Sequence, residues 1–175
     1  MSTKRHVVLI GLPGSGKTVV GSLVAEKLKA GFVDIDALLV RKEGKPVTMI
    51  FAEKGEAAFR NLERQEMETA LTQEPAIIAP GGGWAAQPGV LESAKTRALL
   101  IYLRTRADTA AQRAGSEGTR PLLMGGESPV ERMRQLMKER ESAYVQAHDT
   151  IDTDRKTAAQ VATDVVRLAQ TKAGW

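Results

Sequence analysis

A glycine-rich segment at residues 11–18, Gly-Leu-Pro-Gly-Ser-Gly-Lys-Thr, carries the clearest chemical signal in the sequence. It satisfies the pattern G-x-x-x-x-G-K-[ST] and lies between an apolar run of strand length and a segment of helical period. In such a loop the backbone amides surround a polyphosphate, Lys17 reaches the outer phosphates and the hydroxyl of Thr18 ligates Mg²⁺. Three small residues complete the predicted cradle, namely Gly14, Ser15 and Gly16. The segment therefore predicts a nucleotide site.

Two aspartates, Asp34 and Asp36, stand two residues apart at the end of the second predicted strand. If both lay on the strand they would share one side of it, at the sheet edge where α/β proteins bind ligands. One carboxylate beside a phosphate loop can hold Mg²⁺ through water, and the other can accept a hydroxyl proton. The alternative is a helix N-cap with a solvated neighbour, and the residues alone leave both interpretations open.

The segment at 55–63 places Glu56, Arg60 and Glu63 on one face of a helix. Such a face usually carries surface salt bridges that contribute little to stability. The functional alternative is that the two glutamates orient the arginine, whose planar fork grips a carboxylate or phosphate of a substrate. Without further context the surface interpretation is favoured.

Three glycines, 81–83, follow the third predicted strand, and three in a row suggest close approach of a ligand to the backbone. Further along, Arg113 and Arg120 flank Ala-Gly-Ser-Glu-Gly-Thr. This segment predicts a mobile lid that carries two arginines over a phosphoryl transfer, with a flexible surface loop as the alternative. Arg140 lies on a charged helix, for which a solvated face is the default expectation.

Apolar runs of strand length alternate with helical patterns, which predicts a parallel α/β sheet in a single domain spanning residues 1–175. We place strands at His6–Ile10, Gly31–Asp34, Ala76–Ala79, Ala98–Leu103 and about 150–152. The principal helices are predicted at Lys17–Ala30, Gly55–Thr72, Pro129–Gln146 and Thr157–Lys172. Turns are predicted at residues 11–16, 80–83 and 115–126.

Composition narrows the function further. The 175 residues include no cysteine, which excludes disulfides and thiolate chemistry and predicts a reducing, cytoplasmic compartment. No apolar run approaches the roughly 18 residues of a membrane span. The net charge of +4 favours anionic small molecules, because aromatic residues at 4% and the absence of a basic stripe disfavour nucleic acid as a partner.

Taken together and in order, the motifs resemble those of the shikimate kinases, a family of the nucleoside-monophosphate-kinase-like P-loop group. The similarity covers about residues 5–155. It includes the phosphate loop, the D-x-D at 34–36, G-E-x-x-F-R-x-x-E at 55–63, the glycines at 81–83, R-P-L-L at 120–123 and E-R-x-x-x-Y at 139–144. The resemblance implies three α/β/α layers around a five-stranded parallel sheet in the order 2-3-1-4-5. It also implies a substrate-binding region at about 36–63, a lid at about 114–126, and a monomer.

The same resemblance implies ATP and Mg²⁺ as cosubstrate and cofactor, and the 3-hydroxyl of shikimate as phosphoryl acceptor, in aromatic amino acid biosynthesis. The implied shikimate-binding residues are Asp36, Arg60, Gly82, Gly83 and Arg140. Asp34 would hold Mg²⁺ through water, Arg120 would reach the phosphates, and Arg113 and Arg155 would line the adenine. Lys17, Asp36 and Arg120 are the implied catalytic set.

Two departures from the family pattern bear on the acceptor. Trp84 follows the glycine triplet, where the family more often has a small residue, and we expect an indole there to narrow or reshape the acceptor pocket. The segment after Tyr144 is one residue shorter than is common and lacks an acidic pair. Both departures leave the kinase interpretation intact, and Trp84 keeps the identity of the acceptor open. The alternatives are a kinase for another hydroxy acid such as gluconate and, from a different class, a non-catalytic nucleotide-binding module, against which the retained Asp36 and the two lid arginines count.

Overall fold

The computed structural model describes residues 3–116 and 128–175. Its centre is a five-stranded parallel sheet in the order β2-β3-β1-β4-β5, as predicted. The strands are β1 (His6–Ile10), β2 (Gly31–Asp34), β3 (Ala76–Ala79), β4 (Ala98–Arg104) and β5 (Asp149–Asp152). The three central strands are almost wholly buried because helices cover both faces of the sheet, which explains their continuous apolar sequence.

Eight helices are present in the described part of the chain. They are α1 (Lys17–Leu28), α2 (Ile35–Glu43), α3 (Val47–Lys54), α4 (Glu56–Thr72), α5 (Val90–Lys95), α6 (Ala107–Ser116), α7 (Pro129–Tyr144) and α8 (Ala158–Lys172). The four helices predicted from periodicity are confirmed with shifted ends. One of these shifts has a local cause: α1 stops two residues early because Lys29 takes a left-handed conformation with φ 54°.

Successive side chains of each strand point to opposite faces of the sheet, and the core is therefore divided into two layers. Val7 and Leu9 of β1 face α1 and α8, whereas Val8 and Ile10 face the layer that contains α2 to α7. The second layer is the larger and holds the elements between β2 and β3, which are α2, α3 and α4. No helix of the described residues is long and apolar enough to cross a bilayer.

Parallel pairing brings the carboxyl ends of β1, β2 and β3 to one edge of the sheet. The phosphate loop follows β1, the two aspartates follow β2 and the glycine triplet follows β3. The topology therefore gathers three of the sequence signals at a single place, where ligands bind in folds of this kind.

Candidate active site

The phosphate loop connects β1 to α1 and has the backbone shape that its glycines predict. Gly14 and Gly16 have φ values of 79° and 92°, in the left-handed region that glycine adopts without strain. A side chain at Gly14 would also collide with the carbonyl of Ala110. Lys17 Nζ donates to the carbonyl oxygens of Gly11 and Leu12, each at 2.9 Å, so the ammonium lies over the loop.

Thr18 and Asp34 meet beside this loop. The Thr18 hydroxyl donates to Asp34 Oδ2 at 2.8 Å, while Asp34 Oδ1 accepts from the amide of Ala37 at 3.1 Å. Asp34 is therefore the N-cap of α2, and the capping alternative is correct for it. The prediction that Asp34 and Asp36 share a strand face is wrong, because the chain turns into α2 and Asp36 lies in the first turn of that helix.

A hydroxyl and a carboxylate oxygen suit Mg²⁺, which prefers hard oxygen ligands and keeps several waters and substrate phosphates around it. Among residues 3–116 and 128–175 there is no group of three or more His, Cys, Asp or Glu side chains that forms a self-sufficient metal cage. The pair of Thr18 and Asp34 fits a metal that is shared with a nucleotide.

A second pocket lies next to the phosphate cleft. It is lined by Pro13, Asp36, Val47, Phe51, Phe59, Arg60, Glu63, Gly81, Gly82, Gly83 and Arg140. The phosphate cleft is lined by Lys17 and Thr18 together with four residues that also line the second pocket, namely Pro13, Asp36, Gly81 and Gly82. Because the two spaces share these walls, a molecule in the second pocket lies directly beside the phosphate loop.

Glu63 lines the second pocket and is completely buried. Its Oε1 accepts from Arg60 Nη1 at 3.2 Å, whereas Glu56, which is exposed, is 3.7 Å from Arg60. The pKa of Glu63 is raised to about 7, chiefly by burial and in part by the charge of Asp36, while the guanidinium groups of Arg60 and Arg140 oppose the rise. The surface interpretation of this helix face is wrong for Glu63 and Arg60.

The glycine triplet allows these side chains to pack on the backbone. A Cβ added at Gly81 would collide with Glu63 Oε2, and one at Gly83 would lie 2.5 Å from Cζ of Arg60. At Gly82 it would lie 3.0 Å from Arg140 Nη1. The sequence suggested that a ligand approaches this backbone closely. In the structure, the protein's own charged side chains lie against it.

Arg140 is 6% exposed, so the prediction of a solvated face is wrong for this position on α7. Its Nη1 is buried and makes no hydrogen bond to any described residue. One turn later on the same helix the Tyr144 hydroxyl donates to the carbonyl of Gly82 at 2.6 Å. Burial raises the pKa of Tyr144 to about 12, so it stays a neutral donor that holds the glycine triplet against α7.

Two residues predicted near the adenine, Arg113 and Arg155, line one surface depression together with Thr109 and Asp154. Arg113 belongs to α6 rather than to a loop, and Arg155 adopts a left-handed conformation with φ 64° just after β5. The structure brings this pair together at one depression, and α6, which carries Arg113, packs against Gly14 of the phosphate loop. Arg120 and most of the predicted lid at 114–126 lie outside the described residues.

Sequence reasoning also missed several wall residues. Pro13, Phe51 and Phe59 line the acceptor side of the site, and Arg60 lies over the rings of Phe51 and Phe59 at 5.8 Å and 5.5 Å. The two aromatic residues gave no signal, because a phenylalanine on a helix usually indicates core.

The expected effect of Trp84 is wrong. The indole is 2% exposed and packs in the larger core layer, and it is not among the residues that line the second pocket. The indole at this position therefore does not narrow the pocket itself.

The parallel sheet in this strand order, with a phosphate loop beside a small charged pocket, defines a P-loop kinase. Comparisons with known proteins identify the particular family. The family model for shikimate kinase matches residues 13–170, and the chain belongs to the shikimate kinase family. It is accordingly a phosphotransferase.

Individual relatives agree with this assignment. The chain is 36% identical over 162 residues to the shikimate kinase of a Sulfurihydrogenibium species, covering 93% of this chain and 96% of that relative. The shikimate kinase of Acinetobacter baumannii, solved in complex with shikimate, superposes with a TM-score of 0.91 at 33% identity, over 97% of this chain and 95% of that one. A gluconokinase from Sinorhizobium meliloti shares the fold, with a TM-score of 0.66 at 18% identity over 99% of this chain and 95% of that one.

Proposed function

We propose that the chain transfers the γ-phosphoryl group of ATP to the 3-hydroxyl of shikimate, and that the residues gathered at the sheet edge carry out this reaction. One observation supports the acceptor assignment above all others. The walls of one pocket present a buried donor, Arg140 Nη1, and a buried acceptor, Glu63 Oε2, and neither has a hydrogen-bond partner within the described structure. A small molecule with a carboxylate and hydroxyl groups satisfies both.

The carboxylate of the acceptor would be bound by Arg60 and Arg140. Both guanidinium groups line the pocket, and the planar fork of arginine matches a carboxylate in a bidentate geometry. The hydroxyls would donate to Asp36 and Glu63, each of which has an oxygen close to the position that a side chain at Gly81 would occupy. The backbone of Gly82 and Gly83 would form the floor beneath the ring.

Asp36 is the proposed proton acceptor for the reacting hydroxyl. The proposal is supported by the position of Asp36, which lines both the second pocket and the phosphate cleft, between the proposed sites of the hydroxyl and the γ-phosphate. An aspartate is too weak a base to ionise an alcohol in advance. A loose phosphoryl-transfer transition state has little bonding to the nucleophile, so the hydroxyl need not be ionised beforehand. Asp36 accepts its proton late in the transfer.

Charge stabilisation and positioning would supply most of the rate enhancement. Lys17 lies over the phosphate loop and would face the outer phosphates, and the loop amides of Gly14, Ser15 and Gly16 would bind the phosphate oxygens. Thr18 and, through water, Asp34 would hold Mg²⁺, which neutralises charge on the transferring group. Arg120, on the proposed lid at about 114–126, would add a further cation.

The remaining parts of the proposal concern the nucleotide base and the state of the protein. Arg113 and Arg155 would pack on the adenine, supported by their common place at one depression. We further propose one domain over 1–175, with the acceptor region at about 36–63, acting as a monomer in the cytoplasm. The absence of cysteine from the sequence suits a reducing compartment.

An ADP-release assay with Mg-ATP tests the proposal, using shikimate, gluconate, nucleoside monophosphates and no acceptor in parallel. The Asp36→Asn variant is run beside Asp164→Asn, a control on α8 at the opposite face of the sheet. We expect turnover with shikimate alone, lost in Asp36→Asn and retained in the control. ADP release that is independent of an acceptor, or turnover with gluconate alone, would contradict the proposal.

A further inference from the structure

We propose that Gln87 is a positioning residue for the acceptor site: acting through Glu63, it holds Arg60 in the orientation that binds the acceptor's carboxylate. This inference rests on the function proposed above. Gln87 was not among the residues predicted from the sequence, and it does not line the pocket itself. Its effect on the acceptor is therefore indirect.

The contacts form a short chain of three side chains. Gln87 Nε2 donates to Glu63 Oε1 at 3.0 Å, and the same oxygen accepts from Arg60 Nη1 at 3.2 Å. Gln87 is half-buried, whereas Glu63 is completely buried. A neutral amide in this place gives Glu63 Oε1 a second donor without adding a second cation that would compete with Arg60, and it leaves Oε2 facing the pocket without a partner among the described residues.

The chain after β3 is folded so that Gln87 reaches α4. The amide of Trp84 donates to the carbonyl of Gly81 at 3.2 Å, and the amide of Gln87 donates to the carbonyl of Trp84 at 3.0 Å. The buried indole anchors these consecutive turns in the core. The unusual Trp84 thus has a structural consequence, since it fixes the turn from which Gln87 extends over Glu63.

The charge state of Glu63 decides how strongly its carboxylate holds Arg60. The groups that face it are Asp36 on α2, Arg60 on its own helix α4, and Arg140 and Tyr144 on α7. Because burial raises the pKa of Glu63 to about 7, the protonated and ionised forms compete near neutral pH. The hydrogen bond from Gln87 favours the ionised form, and only that form is a strong acceptor for Arg60.

Replacing Gln87 by methionine, which is similar in size but cannot donate, tests the inference. A hydrogen bond to a charged group is worth enough to change binding about tenfold. We expect the acceptor KM to rise by about three- to tenfold near neutral pH, while kcat and the KM for ATP stay close to wild type. The acid limb of kcat/KM for the acceptor should move to higher pH.

Gln135→Met is a matched control. Gln135 Nε2 donates to Glu139 Oε1 at 3.0 Å, the same distance as in the Gln87 pair, but both residues are exposed on α7. The control should leave both KM values and the acid limb unchanged. Melting temperatures of both variants establish that each is folded under the assay conditions.

A double-mutant cycle with Glu63→Gln separates action through Glu63 from a merely structural role. If Gln87 acts through the carboxylate, Gln87→Met should add nothing to the acceptor KM in the Glu63→Gln background. Full additivity of the two changes would overturn the inference. An unchanged acceptor KM and an unmoved acid limb in Gln87→Met would also overturn it.

Failure of the proposed function has a different signature, which is wild-type protein that does not phosphorylate shikimate at all. In that case the pH dependence of the melting temperature still tests Gln87, because it reports the proton bound by Glu63 without any substrate. In Gln87→Met the fall of the melting temperature with rising pH should continue to a higher pH than in wild type. In the Gln135→Met control it should end at the same pH as in wild type. Coincident curves for wild type and Gln87→Met would overturn the inference.

Discussion

Alanine at position 83 gives a direct steric test of the acceptor site. The added methyl carbon would lie 2.5 Å from both Cζ and Nη2 of Arg60, and 2.6 Å from its Nη1. Ordinary contacts between such atoms begin near 3.5 Å, so the guanidinium must move by about 1 Å. The backbone itself tolerates alanine, because Gly83 is not among the glycines with positive φ.

The displacement translates into a kinetic effect. Moving a binding group by about 1 Å costs up to about 100-fold, and hydrogen bonds to charged groups are worth about 1.5–3 kcal/mol each. We therefore expect Gly83→Ala to raise the KM for shikimate by about 10- to 100-fold. The KM for ATP should not change, since the triplet's last glycine does not line the phosphate cleft.

Gly31→Ala is the matched control. At Gly31, the first residue of β2, an added Cβ meets only Ala76 Cβ at 3.8 Å, which is an ordinary contact. Steady-state kinetics with each substrate varied in turn, together with melting curves, distinguish a local steric effect from unfolding. A Gly83→Ala enzyme that binds shikimate like wild type would refute the assignment of Arg60 to the acceptor's carboxylate.

Two further predictions concern stability. Glu63 holds its proton more tightly in the folded protein than in the unfolded chain, so its contribution to stability is complete below pH 4.5 and is lost as the pH rises through about 7. The free energy of unfolding should fall by at most about 1.4 kcal/mol per pH unit from this group in that window, and denaturant titrations of Glu63→Gln should lack this component. Thr157 caps α8 in a reciprocal pair with Gln160, so Thr157→Ala should lower the free energy of unfolding by about 1 kcal/mol with unchanged kinetics; an unchanged unfolding midpoint would contradict this.

The strands were predictable because burial on both faces leaves a continuous apolar run, as in β1 and β4. Their order was not derivable from periodicity, and it came from the family resemblance. The segment from 35 to 54 was not assigned to helices, although Gly44 and Pro46 mark the junction between α2 and α3. Two short helices on either side of a turn lack the long periodic pattern on which such a prediction depends.

The site was predictable where its chemistry is local in sequence. The spacing within 11–18 requires a loop and a helix N-terminus, and the structure has both. The burial of Glu63 and Arg140 was not predictable from the sequences of their helices. A charged helix face is expected to be solvated unless another element is known to cover it. Here Glu63 of α4 lies against Gly81 and Arg140 of α7 lies against Gly82, and both charged side chains are buried beside the glycine triplet.

Burial of these charges also argues for selectivity among acceptors. A neutral polyol in the pocket would offer Arg140 Nη1 only an uncharged hydroxyl oxygen, and a hydrogen bond between two ionised groups is much stronger than one to a neutral acceptor. An acid lacking hydroxyls would leave Glu63 Oε2 unpaired, and a buried acceptor left unpaired costs about 1–3 kcal/mol, more when it is charged. Sites built around buried polar groups reject analogues that lack the matching group far more strongly than apolar pockets reject a missing methylene. The two unpaired atoms therefore favour an acceptor that is both a carboxylic acid and an alcohol, which is the chemistry of shikimate.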